Sequence, residues 1–514
     1  LEKALPGMRV EPQPSLRPVP ASDAAARERR WDDLETDVLV VGGGPAGMSA
    51  ALVAASSGLS VVLVDERQQP GGQYFKHPPA SFRFDEARID RQFQDGVKLA
   101  RDVLESSVDY RSGVTVAGAF AGRRVAIVGD DGSTMIRARR VIVATGAYER
   151  PLPVPGWTLP GVMTTGAAQT LLRGYQVLPG QRVLIAGNGP LNLQVADELS
   201  RAGAKIVAVA ELAAAPWRRP LAAASLLARG PSLALTGLRH VAALARRAVP
   251  LHYSKVLHSV SGEAGVEHAT LASVDATGRV LDRSRLGFDV DAVCVNYGFQ
   301  PQSELARALG CTYRPDAASG NLRCDRGIDG RSNVPEIFVV GDAGGLGGAQ
   351  LALAQGRLAG ARVAADLEAP NAPVAAECRR LERDIRRHRG FQDSLWALYA
   401  APRLTTELAD DATIICRCES LDLATVSQAA GAGALSLASV KKLTRAGMGR
   451  CQGRYCSDSL NAILGTQTAM PDTDFFAPRP PLKPVPAGWL AGSTGDPPVA
   501  QELAAAIGDT APEA

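Results

Sequence analysis

Asp37-Val-Leu-Val-Val-Gly42-Gly-Gly-Pro-Ala-Gly47 is the stretch whose reading decides the fold. Four consecutive β-branched and leucine side chains after Asp37 are the pattern of a strand buried on both faces of a parallel sheet. The glycines that follow divide the work of a phosphate-binding turn. Gly42 makes the tight turn, Gly44 admits a pyrophosphate close to the backbone beside Pro45 and Ala46, and Gly47 lets helix and strand touch. An alanine-rich helix follows to about Ser57, with its N-terminus toward the phosphate charge. Val61-Val-Leu-Val64 then predicts a second strand, ending at Asp65 and Glu66. Asp65 lies 23 residues after Gly42, where a carboxylate accepts hydrogen bonds from ribose hydroxyls.

The pattern recurs downstream. Val183-Leu-Ile-Ala186, Gly187-Asn188-Gly189-Pro-Leu-Asn192, an amphipathic helix to about Ala202 and Ile206-Val-Ala-Val-Ala210 repeat the strand, turn, helix and strand. Its chemistry departs from the first unit, because Asn192 replaces the third glycine. Ala210 is expected opposite the place of Asp65, with the acid one residue later at Glu211. Gly187, Asn188, Gly189 and Glu211 are therefore candidates for a second adenine nucleotide, against the alternative of a nucleotide domain kept for structure.

Two further strand ends frame the second unit. Val141-Ile-Val-Ala144 closes on Thr145-Gly146, and Phe338-Val-Val340 closes on Gly341-Asp342 before glycines at 344, 345, 347 and 348 and a helix to Asp366. An aspartate ahead of such glycines suits a ribitol hydroxyl, with nearby amides facing phosphate or flavin oxygens.

Composition excludes more than it assigns. With 56 basic and 53 acidic residues, the net charge of +3 gives no general case for nucleic acid or an acidic partner, so any such contact must be local. Eight cysteines in 514 residues are too few for a disulfide scaffold and favour metal ligation in a reducing compartment. The charge-free run Val38 to Val64 is long enough for a bilayer but resolves into strand, turn, helix and strand. The first thirty residues lack the apolar core of a secretory signal.

Four of the cysteines are paired. Cys416-Arg-Cys418 and Cys451-Gln-Gly-Arg-Tyr-Cys456 bring two close pairs of thiolates, the donor set of an iron–sulfur cluster or of tetrahedral zinc. The C-x-C spacing is unusual for zinc and favours [2Fe–2S]. Glycines at 447, 449 and 453 let backbone amides approach the sulfurs, and Lys441, Lys442, Arg445, Arg450 and Arg454 favour a more negative reduced cluster. Cys294, Cys311, Cys324 and Cys378 read as incidental thiols. No Cys-x-x-Cys occurs and the six histidines form no ligand spacing, so no catalytic residue is assigned.

The order of these segments resembles the two-dinucleotide-domain flavoprotein fold, α/β throughout, in which an FAD domain is interrupted by an NAD(P)-type domain. Gly71-Gly72-Gln73 matches its flavin-contacting stretch. The cysteine pattern resembles the ferredoxin-like [2Fe–2S] domain related to bacterioferritin-associated ferredoxin. The combination is similar to the A or alpha subunit of opine oxidases, with relatives in hydrogen cyanide synthase and D-hydroxyproline dehydrogenase. Leu159 to Gln169, Gly341 to Gln350 and Arg479 to Pro486 carry the same likeness.

The resemblance implies an N-terminal arm (1–34), an FAD domain in two parts (35–150 and 325–370), an inserted NAD(P)-type domain (151–324), a helical linker (371–410), the [2Fe–2S] domain (411–465) and a proline-rich tail (466–514). It implies FAD at Gly42, Gly44, Pro45, Ala46, Gly47, Asp65, Glu66, Gly72, Gln73, Thr145, Gly146, Gly341, Asp342 and Gln350, and the cluster at Cys416, Cys418, Cys451 and Cys456. It further implies a partner, an FAD-containing beta subunit of D-amino-acid-oxidase type. An interfacial FMN is a further candidate, and so is a small gamma subunit. The chain would then relay electrons from an amine or amino-acid dehydrogenase to a respiratory acceptor, in the cytoplasm or at the inner face of a membrane. The alternative is an autonomous NAD(P)H-dependent reductase. Because flavin and cluster fall on separate domains, loss of the cluster is expected to leave the flavin bound.

Overall fold

The computed structural model describes residues 31–78, 91–130, 132–316, 320–434, 436–465 and 476–487. The strand of the opening stretch is longer than its apolar run, Trp31–Val41, because Trp31 to Glu35 pair with Ser133 to Arg137 of the long strand Gly132–Val143. The expected arm therefore contributes a strand from residue 31, and the rest of it lies outside the described residues. Parallel neighbours at Val61–Val64 and Asp109–Arg111 extend the sheet on one side. On the other side the long strand branches, its first half pairing antiparallel with Arg124–Gly129 and its last residues parallel with Ile337–Val339.

A close approach fixes this sheet to its helices. A Cβ at Gly47 would fall 1.8 Å from the Gly42 carbonyl oxygen, so the helix Pro45–Ser56 lies against the strand end only because residue 47 has none. The helix Gly348–Asp366 packs against that helix in the same way. A Cβ at Gly356 would meet the Ala46 carbonyl oxygen at 2.1 Å.

The second unit is a parallel sheet in the order 251–253, 205–211, 182–187, 292–296 and 162–164, backed by the antiparallel sheet of 255–261, 268–274 and 280–289. The chain enters it past Ala147–Glu149 and leaves it at Phe299–Pro301, and these two crossings pair antiparallel side by side. The return falls ahead of the expected boundary at 324, because Leu305, Ala306, Tyr313 and Leu322 already pack in the core of the first sheet. Their burial assigns them to the first domain.

The helix Ala375–Leu398 bridges both units. Cys378 and Ile385 pack on the first-domain helix, where Glu382 also meets Arg362 at 2.9 Å, and Phe391 packs with Leu226 and Ala234 of the second unit. The small C-terminal domain has its own core, built on Ile415, Val426, Leu437, Val440 and Leu460. Among the described residues no helix is long and apolar enough to cross a membrane.

The glycine contacts carry a stability prediction. Gly356→Ala should destabilise by about 1–3 kcal/mol through overpacking. Gly237→Ala, in an exposed helix with open space around it, should instead stabilise by about 0.5–1 kcal/mol. Opposite shifts in urea midpoint are expected, and equal shifts would contradict the packing account.

Candidate functional site

One cavity of about 950 Å³ gathers the residues of the first fingerprint. Gly42, Gly44, Pro45, Ala46, Asp65, Glu66, Gly72, Gln73, Thr145, Gly146, Gly341 and Asp342 all line it, although they come from separate stretches of chain. Parallel pairing explains the convergence, since the strands ending at Val41, Val64, Val143 and Val339 all end at the same edge of the sheet. Two expected residues fall elsewhere. Gly47 stands behind the wall as a packing contact, and Gln350 is exposed, because Ala349 and Ala352 are the residues that this helix turns toward the cavity.

The acids at the cavity hold backbone. Asp65 accepts hydrogen bonds from the amides of Gly43 and Arg67, the latter at 2.7 Å, while burial pushes its carboxyl upward. Asp342 Oδ1 accepts from Gly347 at 2.8 Å and Gly348 at 3.1 Å, and burial again raises its carboxyl. Those two amides are therefore taken up by the aspartate rather than left facing a phosphate. His77 holds the same rim, with Nε2 at 2.8 Å from the Pro70 carbonyl oxygen.

The second fingerprint repeats the first more closely than its sequence spacing suggests. Val41 lies opposite Val64, which brings Asp65 level with Gly42; Glu211 lies opposite Gly187. Glu211, not Ala210, is thus the counterpart of Asp65. An irregularity between Ile206 and Ala208 absorbs the extra residue. Glu211 even binds alike, accepting from Gly189 at 3.0 Å and Ala213 at 2.8 Å, and burial pushes its carboxyl up to about 7.

Neither Gly187 nor Glu211 lines the cavity, whereas Asn188 and Gly189 do. Asn192 is buried as a tie between strands and helices, its Oδ1 accepting from Thr165 at 2.9 Å and its Nδ2 donating to the Asn296 carbonyl at 3.3 Å. The two turns differ most in what faces their second glycine. A Cβ on Gly44 would meet only the Cα of Gly72, at 4.0 Å; one on Gly189 would meet the Trp396 indole at 3.7 Å. The bridging helix places that indole there.

Between the two fingerprints lies a buried polar group that sequence reasoning passes over. Lys76 Nζ donates to the Gly166 carbonyl at 2.7 Å and to Gln169 Oε1 at 3.2 Å, and burial brings its ammonium down to about 8, opposed by Glu149. Its position three residues after Gln73 is the only signal the sequence offers.

The four cysteines form one connected set. The Cys456 thiol donates to the sulfurs of Cys416 and Cys451, and Cys418 is in hydrogen-bonding contact with Cys451. Backbone amides complete the seat, from Gly447 and Glu419 to Cys416 and from Gly453 and Tyr455 to Cys451. These contacts hold Cys416 down to about 6 and Cys451 to about 5, toward thiolates, while Cys456 is pushed up by donating to both and Cys418 by burial. Among the described residues no three donors converge as for a single ion. A two-iron core asks for two pairs of thiolates instead, and the donor set fits it. A Cβ on Gly449 would lie 2.2 Å from that of Cys418, so the loop closes around the sulfurs only with glycine there. Of the cations expected to bias the cluster, Arg445 pairs with Glu419 at 2.9 Å and Lys441 lies 5.2 Å from the centre of the Phe476 ring.

Arg454, between the last two cysteines, does more than add charge. It lines the cavity, and its Nε stands 2.7 Å from Glu304 Oε1. Its other nitrogens donate to the Cys451 carbonyl at 3.0 Å and to the Leu482 carbonyl at 2.8 Å. Its guanidinium lies 5.8 Å from the centre of the Tyr148 ring, and Tyr455 meets Tyr148 edge-on at 6.0 Å. Leu482 and Lys483 also line the cavity, held by the Leu482 amide on the Ala117 carbonyl at 2.8 Å and by Lys483 on Glu66 at 2.6 Å. The cluster loop and the tail thus form one wall of the flavin-type cavity.

Known proteins match both parts. Residues 36–356 match the pyridine nucleotide-disulphide oxidoreductase family, and 414–466 match the BFD-like [2Fe-2S] binding domain. The opine oxidase A subunit of Agrobacterium tumefaciens is 32% identical, over 88% of this chain and 91% of its own. Hydrogen cyanide synthase subunit HcnB of Pseudomonas aeruginosa is 33% identical, over 87% of this chain and 97% of its own. Among solved structures, L-proline dehydrogenase from P. horikoshii superposes with a TM-score of 0.64 at 21% identity, covering 90% of this chain and 81% of that one, a likeness of fold.

The shared wall gives a physical route by which the two sites can affect one another, against the expectation that they are independent. Arg454→Ala should weaken flavin retention by about tenfold or more, near 1.4 kcal/mol. Cys451→Ser should do so to a smaller degree as the loop loosens. Flavin fluorescence released on dialysis reads both, and unchanged retention in Arg454→Ala would contradict the wall assignment.

Proposed function

Because the chain belongs to the pyridine nucleotide-disulphide oxidoreductase family, in the branch that holds HcnB and the opine oxidase A subunit, we propose that it is the electron-transfer component of a multi-subunit flavin-dependent amine or amino-acid dehydrogenase. FAD belongs in the 950 Å³ cavity and [2Fe–2S] on Cys416, Cys418, Cys451 and Cys456. A beta subunit carrying its own FAD oxidises the substrate, and electrons leave this chain for a respiratory acceptor. The observation that carries the reading is the cluster loop itself. Cys451 and Cys456 bracket Arg454 and Tyr455, which line the cavity, so the two redox sites are separated by one loop.

Bound FAD exchanges electron pairs and the cluster exchanges single electrons, which makes such a pair a converter between two-electron and one-electron carriers. The chain's residues do the holding. Gly42 and Gly44 admit the pyrophosphate to the helix N-terminus, and the Asp65 and Asp342 carboxylates fix the turns around it. Amides of Gly447 and Glu419 on Cys416, and of Gly453 and Tyr455 on Cys451, would raise the potential at which a cluster held by these thiolates accepts an electron. Cys418 is exposed while Cys416 and Cys456 are buried, so the cluster seat reaches the surface at Cys418, and Arg454 and Tyr455 of its loop reach the cavity.

Lys76 is held by Gly166 and Gln169, and Glu149 by the Gly166 amide and Asn296, so these cavity groups are engaged by the protein itself, which supports placing amine oxidation on the partner. The rival reading, an autonomous NAD(P)H-dependent reductase, needs an open second fingerprint. Trp396 beside Gly189 and the buried Glu211 weigh against it.

The anaerobically purified chain should hold FAD together with about two iron and about two acid-labile sulfide per chain. Stoichiometric zinc without sulfide would remove the cluster assignment. Coexpressed with its beta subunit, it should copurify, and Cys416→Ser should slow delivery to the final acceptor more than anaerobic reduction of the beta-subunit flavin. Turnover of an opine, a proline derivative or glycine by this chain alone would refute the assignment.

NADH and NADPH should bleach the flavin band slowly or not at all in stopped flow. Rapid, saturable bleaching would put the reductase reading first.

A further inference from the structure

We infer that the helical hairpin Pro220–Arg229 and Pro231–Arg246 is a docking face for an anionic phospholipid surface. Its inner side is already satisfied. Leu226 and Ala234 pack with Phe391, Leu395 and Leu398 of the bridging helix, and Ser225 meets Ser394 at 2.8 Å. A second apolar side faces outward. Trp217 is 74% exposed, Leu221 85%, Leu227 49%, Leu235 47% and Leu238 57%. On the longer helix Leu235, Leu238, Ala242 and Ala245 recur at helical spacing and all are exposed, which makes a stripe rather than a scatter.

Charge selects the occupant. Between Glu211 and Glu263 the sequence contains no acidic residue, whereas the hairpin and its entry carry Arg218, Arg219, Arg229, Arg239, Arg246 and Arg247. Arg247 meets Asp197 at 3.0 Å, and Arg219 donates to the Ala397 carbonyl at 2.9 Å. Arg218, Arg229, Arg239 and Arg246 have no acidic partner among the described residues. In a chain whose total charge is only +3, this concentration is local.

Leucines and a tryptophan beside guanidiniums without an acidic partner are what an interfacial helix needs: apolar groups enter the acyl boundary and arginines meet lipid phosphates. Helices of 10 and 16 residues are too short to span, so they would lie in the plane. Gly230 alone joins them, and a Cβ there would fall 2.3 Å from the Phe391 ring, so the hairpin is held against the protein with its outer side free.

Sedimentation of the full chain with vesicles tests this. Partition into phosphatidylcholine vesicles containing phosphatidylglycerol should exceed that into phosphatidylcholine alone by about tenfold or more and fall in about 0.5 M salt. Leu221→Asp with Leu238→Asp, and separately Arg218→Glu with Arg239→Glu, should each abolish the excess while flavin content and melting temperature stay unchanged. Equal partition into both vesicles, or none, overturns the proposal. So does loss of a copurifying subunit in these variants without any change in vesicle binding, which would make the face a protein interface.

Discussion

One buried guanidinium ties three parts of this chain together. Arg454 sits in the cysteine loop, pairs with Glu304 of the first domain and holds the carbonyl of Leu482 in the tail. Its side chain is only 8% exposed, so each partner replaces solvation that the charge has lost. Removing it would strand Glu304 and free the tail from the cavity wall. The planar fork is what serves these partners in different directions, which a lysine would not reproduce. The fingerprint cavity, the cysteine loop and the tail are therefore tied into one assembly, although they lie far apart in sequence.

A second arginine does similar work on the far side of the cluster domain. Arg150, at the crossing between the two nucleotide units, donates to the carbonyls of Tyr297 and Leu404 and lies 3.5 Å from Asp458. Burial lowers it to about 10, still charged at neutral pH. Trp157 adds a hydrogen bond to the Ile414 carbonyl at 2.7 Å, two residues before Cys416. The cluster domain is thus fixed to the crossing strands as well as to the cavity wall. A fixed spacing between the cysteine loop and the fingerprint cavity is what such docking provides.

What can be read from the sequence is local. Gly42, Gly44, Gly47 and Asp65 belong to one strand–turn–helix–strand unit, whose spacing is set by short-range geometry. The cysteine pairs are legible for the same reason. Counting residues misplaces the counterpart of Asp65 in the second unit, because an irregularity after Ile206 consumes a residue that counting cannot see. Trp396 is invisible as a neighbour of Gly189, since the two are brought together only by the packing of the bridging helix. In the sequence Arg454 reads only as charge for the cluster, and its role at the cavity emerges when Glu304 and Leu482 fold beside it. Gln350 comes with its motif, yet the phase of its helix turns it outward.

The two nucleotide units keep one framework and differ in what faces the turn. Both hold their strand-end acid on the amides around the turn, Asp65 on Gly43 and Arg67, Glu211 on Gly189 and Ala213. Yet Asp65 lines the cavity, whereas Glu211 does not and is pushed up to about 7 by burial. The difference comes from what covers each turn. The first is faced by Gly72, which has no side chain to intrude; the second is faced by an indole on a helix that also supports the arginine-rich hairpin. Setting an indole beside the second turn and displaying the hairpin are therefore two consequences of one helix, Ala375–Leu398, and a change in its seating would alter both together.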